Sequence, residues 1–203
     1  MGRPRAGSSL VATPQRVLEA AEAAFARAGL LGARLADIAA QAGIRRPSLL
    51  YHFPNKEALY AAVVRRSFTR LGEALEVAMR AGGGFERRVE EMVKAFVGFL
   101  DDRPTLAPVL VRELVDGRGP GRAILVEEVA PLLDRVERFL RLEGRGRLRP
   151  GLPVRAAVMQ VVSAVLLRSA AGGLREALWG RGDHAVELAR GLFLDGAAGE
   201  AGA

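Results

Sequence analysis

The sequence contains no cysteine and only two histidines among its 203 residues. The lack of cysteine excludes disulfides and thiol catalysis, and together with so few histidines it argues against a zinc site. No stretch approaches the roughly 20 consecutive apolar residues of a membrane span, and the segment from Met1 to Gly7 lacks the apolar core of a signal peptide. We therefore expect a cytoplasmic protein with no membrane association, no metal and no cofactor.

Motifs of common enzyme classes are also missing. The chain has neither a Gly-x-Ser-x-Gly nor a Ser-x-x-Lys nucleophile motif. Its glycine-rich stretches at 82–84 and 117–121 carry neither the lysine nor the hydroxyl of a phosphate-binding loop. The adjacent carboxylates of Glu127 and Glu128 lie on a helical pattern expected to face solvent, which does not suit general acid–base catalysis. We therefore expect a protein that is not an enzyme.

Positive charge is concentrated near the N-terminus. The net charge is +7, and residues 1–57 hold 8 of the 30 lysines and arginines but 4 of the 23 aspartates and glutamates, which gives this quarter of the chain +4. A basic N-terminal module followed by a nearly balanced body is typical of a protein that meets phosphate at one end.

Apolar residues recur at helical spacing along most of the chain, and no alternating strand pattern competes with them. Thr13 and Pro14 mark the start of the first helix, since a hydroxyl cap precedes a proline at the first helical position, and Gly29 is expected to end it. The fold class is therefore all-α. We expect three units: a flexible basic arm (residues 1–12, with Arg3 and Arg5), a helix-turn-helix domain (13–57) and a helical domain (58–203).

Two short helical patterns meet at Gly43, which is the arrangement of a helix-turn-helix. The small side chain of Ala39 lets the two helices approach closely. Gly43 supplies a left-handed backbone at which a Cβ costs about 1–2 kcal/mol, and Ile44 and Leu49 fill the small core. The outward side chains of the second helix are hydrogen-bond donors and a flat ring, which suit a major groove and its flanking phosphates.

Three segments occur in register: Asp37-Ile38-Ala39, then Ala42-Gly43-Ile44, then the run from Leu49 to Leu59 that contains His-Phe-Pro-Asn-Lys. Over about residues 11–60 they resemble the tetracycline-repressor (TetR) family of bacterial regulators. The sequence departs from the common family pattern at five positions, and these departures leave the operator sequence open. Ala33 and Arg34 replace Thr-Ser, Arg45 replaces a capping Ser, Pro47 replaces a frequent Gly, and Leu50 replaces a Tyr.

The resemblance implies an N-terminal three-helix DNA-binding domain followed by a C-terminal ligand-binding and dimerisation domain. Arg45 and Arg46 open the second helix, where helix-turn-helix proteins contact base edges. By resemblance Tyr51, His52 and Lys56 hold the phosphate backbone, although His52 could instead cap or pack a helix. The predicted partner is double-stranded DNA, contacted by Arg34, Arg45, Arg46, Pro47, Ser48, Tyr51, His52 and Lys56.

The resemblance also assigns roles to the body. Its last two long helices, Val154–Ala171 and Asp183–Leu194, are expected to pair two subunits into a homodimer through Val158, Val162, Val165, Leu188 and Leu192; the same apolar stripes could instead fill the monomer core. The middle helices are expected to enclose a small-molecule effector, largely apolar and of unknown identity. The candidate ligand-binding residues are Met92, Phe96, Phe99, Leu110, Arg112, Glu113, Met159, Gln160 and Ser163.

Two functions remain open on the sequence alone. The favoured one is a homodimeric repressor that binds a palindromic operator and is released by the effector. The alternative is a nucleoid- or division-associated DNA-binding protein of the same fold that has no small-molecule effector. The two differ in whether a metabolite relieves binding to one palindrome.

Overall fold

The computed structural model describes residues 12–104, 106–116 and 121–194, and this part of the chain is helical as predicted. Leu148 and Leu194 form an isolated antiparallel bridge. The predicted contacts of Arg3 and Arg5 and the loop at 117–120 lie outside the described residues. The helices are α1 (Ala12–Gly32), α2 (Leu35–Gln41), α3 (Arg46–His52), α4 (Lys56–Met79), α5 (Phe85–Asp101), α6 (Leu106–Asp116), α7 (Gly121–Ile124), α8 (Ala130–Glu143), α9 (Val154–Ala170), α10 (Arg175–Trp179) and α11 (Ala185–Phe193).

The first three helices pack around a small apolar core. Phe25 of α1, Ile38 of α2 and Leu49 of α3 are almost completely buried together, as the helical spacing predicts. Gly29 interrupts the helical run, as predicted: it is the one residue of α1 with non-helical backbone angles, and the chain kinks there. Its backbone is left-handed (φ 66°), and the helix resumes as far as Gly32.

The turn between α2 and α3 has the geometry expected of its glycine. Gly43 is left-handed with φ 70°. Its N–H donates to the Ala40 carbonyl (3.0 Å), and the Ile44 N–H donates to the Ala39 carbonyl (2.9 Å). These two bonds form a Schellman motif, which satisfies the last carbonyls of α2 and reverses the chain into α3.

The body is built around α4, which packs on α1 on one side and on α5 on the other. Asn55 caps this helix as predicted, since its Oδ1 accepts a hydrogen bond from the Ala58 N–H at 2.7 Å. Helices α5, α8, α9 and α11 complete the core of the body. Phe85, Leu100 and Leu140 are among its fully buried side chains.

Just before Pro131, where the sequence predicts a bend, the chain forms a short π-helical turn, Leu125–Val129, between α7 and α8. Proline lacks the N–H that an α-helix uses at that position, so the hydrogen-bond ladder changes register just before it. The sequence did not indicate the 3-10 turn Gly172–Leu174 and the short helix α10, which lie between the two predicted long helices.

Candidate nucleic-acid interface

Helix α3 presents one polar face to solvent. Arg45, Arg46, Pro47 and Ser48 are exposed, and the Tyr51 side chain is 87% exposed. On the opposite face Leu49 is fully buried and fixes the rotation of the helix about its axis. A seven-residue helix with this display fits into the major groove of B-DNA, which is about 12 Å wide.

Arginines stand at the N-caps of both helices of the motif. Arg34 precedes α2 and Arg45 precedes α3, and neither side chain caps its helix. This agrees with the missing hydroxyl cap noted in the sequence. Both guanidinium groups are therefore free of that local role, and both residues are exposed.

His52 and Lys56 are more enclosed than the other predicted DNA contacts. The His52 ring is half-buried and meets Tyr51 edge to face, with 5.3 Å between ring centroids. The Lys56 Nζ donates to the carbonyl oxygens of Leu31 (3.0 Å) and Ala33 (3.2 Å). An ammonium group has three N–H donors, so two of them are already engaged inside the protein. The DNA contacts of all these residues stay predictions.

A cluster of charges joins the three-helix domain to the body. The Glu22 carboxylate of α1 pairs with Arg66 of α4 at 2.9 Å and with Arg103, which lies between α5 and α6, at 3.7 Å. All three side chains are mostly buried. Two nitrogens of Arg66, Nε and Nη1, are buried without a hydrogen-bond partner among the described residues, which makes Arg66 strongly dependent on Glu22.

Tyr60 and Glu113 make a second connection. The Tyr60 hydroxyl of α4 donates to Glu113 of α6 at 3.0 Å, and the Tyr60 ring packs edge to face on Phe25 of α1 with centroids 5.2 Å apart. Burial raises the pKa of Tyr60, and the carboxylate of Glu113 raises it further. The hydroxyl therefore stays protonated as a donor well into the alkaline range.

An apolar cavity of about 150 Å³ lies inside the body. Its walls come from α4, α5, α6, the π-helical turn, α8, α9 and Phe193 of α11, and every lining side chain is apolar. Five of the predicted ligand-binding residues lie in its wall: Met92, Phe96, Phe99, Leu110 and Met159.

The four polar residues predicted to select a ligand are not part of the cavity wall, and this corrects the sequence-based assignment. Glu113 is engaged with Tyr60. The Arg112 guanidinium lies against Gly29, where an added Cβ would be 3.0 Å from its Nη1. Gln160 and Ser163 are exposed on the outer face of α9. The reason is rotational: α6 and α9 turn other side chains, such as Leu110 and Val161, towards the cavity, so these four polar side chains lie on other faces of their helices.

The residues predicted to pair two subunits fall into two groups, one buried and one at least partly exposed. Val158 and Val165 are 6% and 4% exposed, so their surface is already used inside the monomer and they belong to its core. Val162 and Leu192 are half-buried, whereas Leu188 on α11 is 59% exposed. Large apolar side chains nearby are also exposed: Leu167 on α9, Leu174, and Leu178 and Trp179 on α10.

The sequence reasoning missed the charged cluster and much of the cavity wall. Glu22, Arg66 and Arg103 gave no signal, because isolated charges on helices are read as solvated. The wall residues from α4, such as Phe68 and Leu71, follow the helical stripe but are indistinguishable there from ordinary core.

The described residues also bear on metal sites and on membrane-spanning helices. No group of three or more His, Cys, Asp or Glu side chains among them could hold a metal ion. Within the same residues no single helix has the length and apolarity to cross a membrane, although Val154–Ala170 and Gly172–Trp179, bent by 108°, meet both criteria as a pair.

Residues 17–63 match the family model of bacterial regulatory proteins of the tetR family. Over 55 residues, 27% of this chain and 26% of the relative, the sequence is 47% identical to the HTH-type transcriptional regulator RutR of Escherichia coli K12. It is 32% identical over 102 residues to the transcriptional activator FasR of Mycolicibacterium smegmatis, 49% of this chain and 47% of that one. The chain thus spans about a quarter to a half of the length of these curated relatives, which are named as transcriptional regulators.

Solved structures extend the similarity over the whole fold. The fatty acid degradation regulator FadR from Bacillus halodurans superimposes with a TM-score of 0.73 at 18% identity, over 93% of this chain and 94% of that one. FadR from Bacillus subtilis, solved in complex with stearoyl-CoA, gives 0.71 at 19% identity, over 88% and 94%. At such identities the match concerns the fold.

Proposed function

Because the chain belongs to the TetR family of bacterial regulatory proteins, we propose that it is a homodimeric DNA-binding transcriptional regulator. It binds a palindromic operator as a repressor and is released by a small, largely apolar effector. The three units predicted from the sequence, 1–12, 13–57 and 58–203, serve as an arm, a reader of DNA and an effector-binding and dimerisation domain. Action on DNA assigns the protein to the cytoplasm.

The observation that carries this proposal is the display on α3. Arg45, Arg46, Ser48 and Tyr51 are exposed together, and the buried Leu49 prevents the helix from turning them inward. Guanidinium groups read guanine edges and bind phosphates, and hydroxyl groups bind either. In the absence of DNA, the packing of the described residues does not explain why these exposed side chains are arginines, a serine and a tyrosine.

Pairing of two subunits follows from the geometry of DNA. Two recognition helices reach successive major grooves when the half-sites are one helical turn, about 34–36 Å, apart. We assign the pairing surface to the outer faces of α9 and α11, with Leu167 and Leu188 at its centre. These exposed leucines support the assignment because grouped apolar surface favours association. Val162 and Leu192 remain at its edge.

The cavity supports an apolar effector. A dry apolar space of this size holds a molecule about as large as benzene, and a longer chain enters by pushing its walls apart. With no polar side chain in the wall, selection depends on shape and hydrophobicity. Since FadR from Bacillus subtilis was solved with stearoyl-CoA, an acyl chain is the first ligand class to test.

Release of DNA is transmitted through α5 and α6. Phe99, in the cavity wall, carries the Arg103 guanidinium over its ring at 4.5 Å, and Arg103 in turn pairs with Glu22 of the DNA-binding domain. Helix α6 places Leu110 in the cavity wall and holds Tyr60 through Glu113 on its other side. A ligand that moves these walls prefers a different spacing of the two α3 helices, and the populations shift away from DNA.

The test begins with selection of bound genomic fragments by the purified protein. Replacing Arg46 and Tyr51 by alanine is expected to abolish operator binding without changing the melting temperature, because both side chains are exposed. Arg181→Ala, at an arginine whose side chain is 90% exposed on the body, is the matched control. Operator binding that survives the double substitution contradicts the groove assignment.

The effector is tested on the same operator with stearoyl-CoA and a shorter acyl-CoA. Release of the operator by either supports the repressor function. A protein that coats DNA without preference and releases it for neither is the nucleoid-type alternative.

A further inference from the structure

We propose that Arg155 of α9, which lies beside the apolar cavity, binds the polar group of the effector, and that this group is an uncharged carbonyl. The ligand class is then a small apolar ketone, ester or thioester and not a free acid. This inference rests on the proposed function, in which an apolar effector fills the cavity. It adds the polar contact that the cavity wall itself lacks.

The Arg155 guanidinium has one nitrogen without a partner. Its Nε lies 3.0 Å from the Glu137 carboxylate, and its Nη2 pairs with the Asp134 carboxylate. Its third nitrogen, Nη1, is buried and has no hydrogen-bond partner among the described residues. Since the side chain as a whole is 38% exposed, the buried Nη1 is on the side of the guanidinium that faces the protein. A buried donor without an acceptor destabilises the structure, and an oxygen atom supplied by a ligand removes this cost.

The ion pairs of Arg155 border the cavity. Met159 lies one turn further along α9, on the same face as Arg155, and it is part of the cavity wall. On α8 the wall residues Leu133 and Val136 each directly precede one of the two paired carboxylates. The guanidinium therefore lies at the edge of the wall, between α8 and α9.

The cavity comes nearest to solvent beside the same residues. Two of the wall residues are exposed, Leu114 at 57% and Met159 at 36%, and they lie on α6 and α9, which pack on each other. A ligand that fills the cavity with its apolar part therefore keeps its polar end near Met159. Methionine is unbranched and flexible, so its side chain can move aside and bring that end within reach of the Arg155 Nη1.

The charges around Arg155 select an uncharged group. Asp134 and Glu137 are both negative, and Arg141 also pairs with Glu137 at 2.8 Å, so these two arginines and two carboxylates together carry no net charge. A ligand carboxylate would lose its hydration there without meeting an unbalanced positive charge. An ammonium group has no lone pair with which to accept from Nη1. A carbonyl oxygen accepts the hydrogen bond and adds no charge.

The experiment compares three ligands of similar size: butylbenzene, butyrophenone, which carries a ketone, and 4-phenylbutanoate, which carries a carboxylate. Their dissociation constants are measured by calorimetry on the wild-type protein, on Arg155→Met and on the control Arg175→Met. Arg175 is matched to Arg155 because its side chain is 37% exposed and pairs with Asp101. In the part of the chain that the structure describes, none of the Arg175 nitrogens is buried without a partner.

We expect Arg155→Met to bind butyrophenone about 10–100-fold more weakly, as when a hydrogen bond to a charged group is lost, and to bind butylbenzene as the wild type does. A change in cavity shape alone would affect both ligands alike. Arg175→Met leaves both affinities unchanged, and the wild type binds butyrophenone more tightly than 4-phenylbutanoate. The infrared carbonyl frequency of isotope-labelled butyrophenone bound to the wild type lies below its value in hexane, because the hydrogen bond weakens the C=O bond.

Three results overturn the inference. Equal losses of affinity for butylbenzene and butyrophenone in Arg155→Met identify Arg155 as a residue that only shapes the cavity. Tighter binding of 4-phenylbutanoate than of butyrophenone identifies an anion site. A carbonyl frequency equal to that in hexane shows a ketone without a hydrogen bond, and this wild-type measurement decides the question even where Arg155→Met does not fold. If butylbenzene does not bind either, the cavity holds no apolar effector, and that part of the proposed function fails as well.

Discussion

Replacing Gly43 by alanine tests the turn that presents the recognition helix. An ideal Cβ built at Gly43 meets no atom within 4 Å, so the whole penalty comes from the left-handed backbone (φ 70°). That backbone costs an L-residue about 1–2 kcal/mol, and the stiffer unfolded chain returns about 0.4–1 kcal/mol. The middle of these ranges gives a net loss of about 0.8 kcal/mol, and their extremes give at most about 1.6 kcal/mol, so the melting temperature falls by about 2–3 °C and by no more than about 6 °C for a chain of this size.

Gly98→Ala is the matched control. Gly98 lies inside α5, and a Cβ there also meets no atom within 4 Å. Because its backbone is helical, alanine is favoured by about 0.5–1 kcal/mol, and the melting temperature rises. Thermal unfolding followed by circular dichroism should therefore show changes of opposite sign in melting temperature for two substitutions whose added Cβ atoms have equally open surroundings. Gly43→Asn falls between wild type and Gly43→Ala, since asparagine enters the left-handed region more readily. If Gly43→Ala melts above the wild-type temperature, as Gly98→Ala does, the strain argument is refuted.

Three further predictions concern the body. Glu22→Gln leaves the mostly buried Arg66 and Arg103 without their counter-charge, so we expect the free energy of unfolding, measured in urea, to fall by about 1–3 kcal/mol. The control Glu176→Gln, at an exposed pair, changes it by less than about 0.5 kcal/mol, and equal effects of the two substitutions contradict the buried cluster. Because the pKa of Tyr60 is raised in the folded state, its contribution to the free energy of unfolding is complete below pH about 10 and is lost as the pH rises further. Tyr60→Phe should make the loss of stability at alkaline pH less steep, and an unchanged loss assigns it to other groups. Leu188→Glu places a charge on the exposed face of α11 and is expected to shift sedimentation towards monomer at unchanged melting of the monomer fold; a persistent dimer contradicts the pairing surface.

Elements that depend on neighbouring residues were predictable from the sequence. The turn at Gly43 needs a residue that adopts a left-handed backbone. The cap at Asn55 needs a side-chain oxygen three residues before the N–H that it accepts from. Both features depend only on residues close together in the sequence. The burial of Leu49 follows from the same short pattern. The helix-turn-helix was therefore recognisable without knowledge of the rest of the chain.

The assignment of faces on α9 was less predictable because this helix is apolar around much of its circumference. Val158 and Val165 share their chemistry with Val162, and the sequence offers no polar stripe that separates inside from outside. Packing against α6, α8 and α11 turns the first two inward and leaves Gln160, Ser163 and Leu167 outside. Rotation of a uniformly apolar helix is decided by its neighbours, so the predicted pairing residues were partly core.

The link between the cavity and the DNA-binding domain was the least predictable feature, because it joins residues far apart in the sequence. Glu22 and Arg103 lie on different helices and carry charges that surface helices carry routinely. Their role becomes apparent only in the structure, where Phe99 is part of the cavity wall and the Arg103 guanidinium lies over its ring. Such a contact is sensitive to small wall movements, since a buried ion pair loses its benefit once its partner shifts. An Arg103→Met variant should therefore keep operator binding but lose much of its response to an acyl-CoA, whereas an unchanged response would leave α6 as the route of transmission.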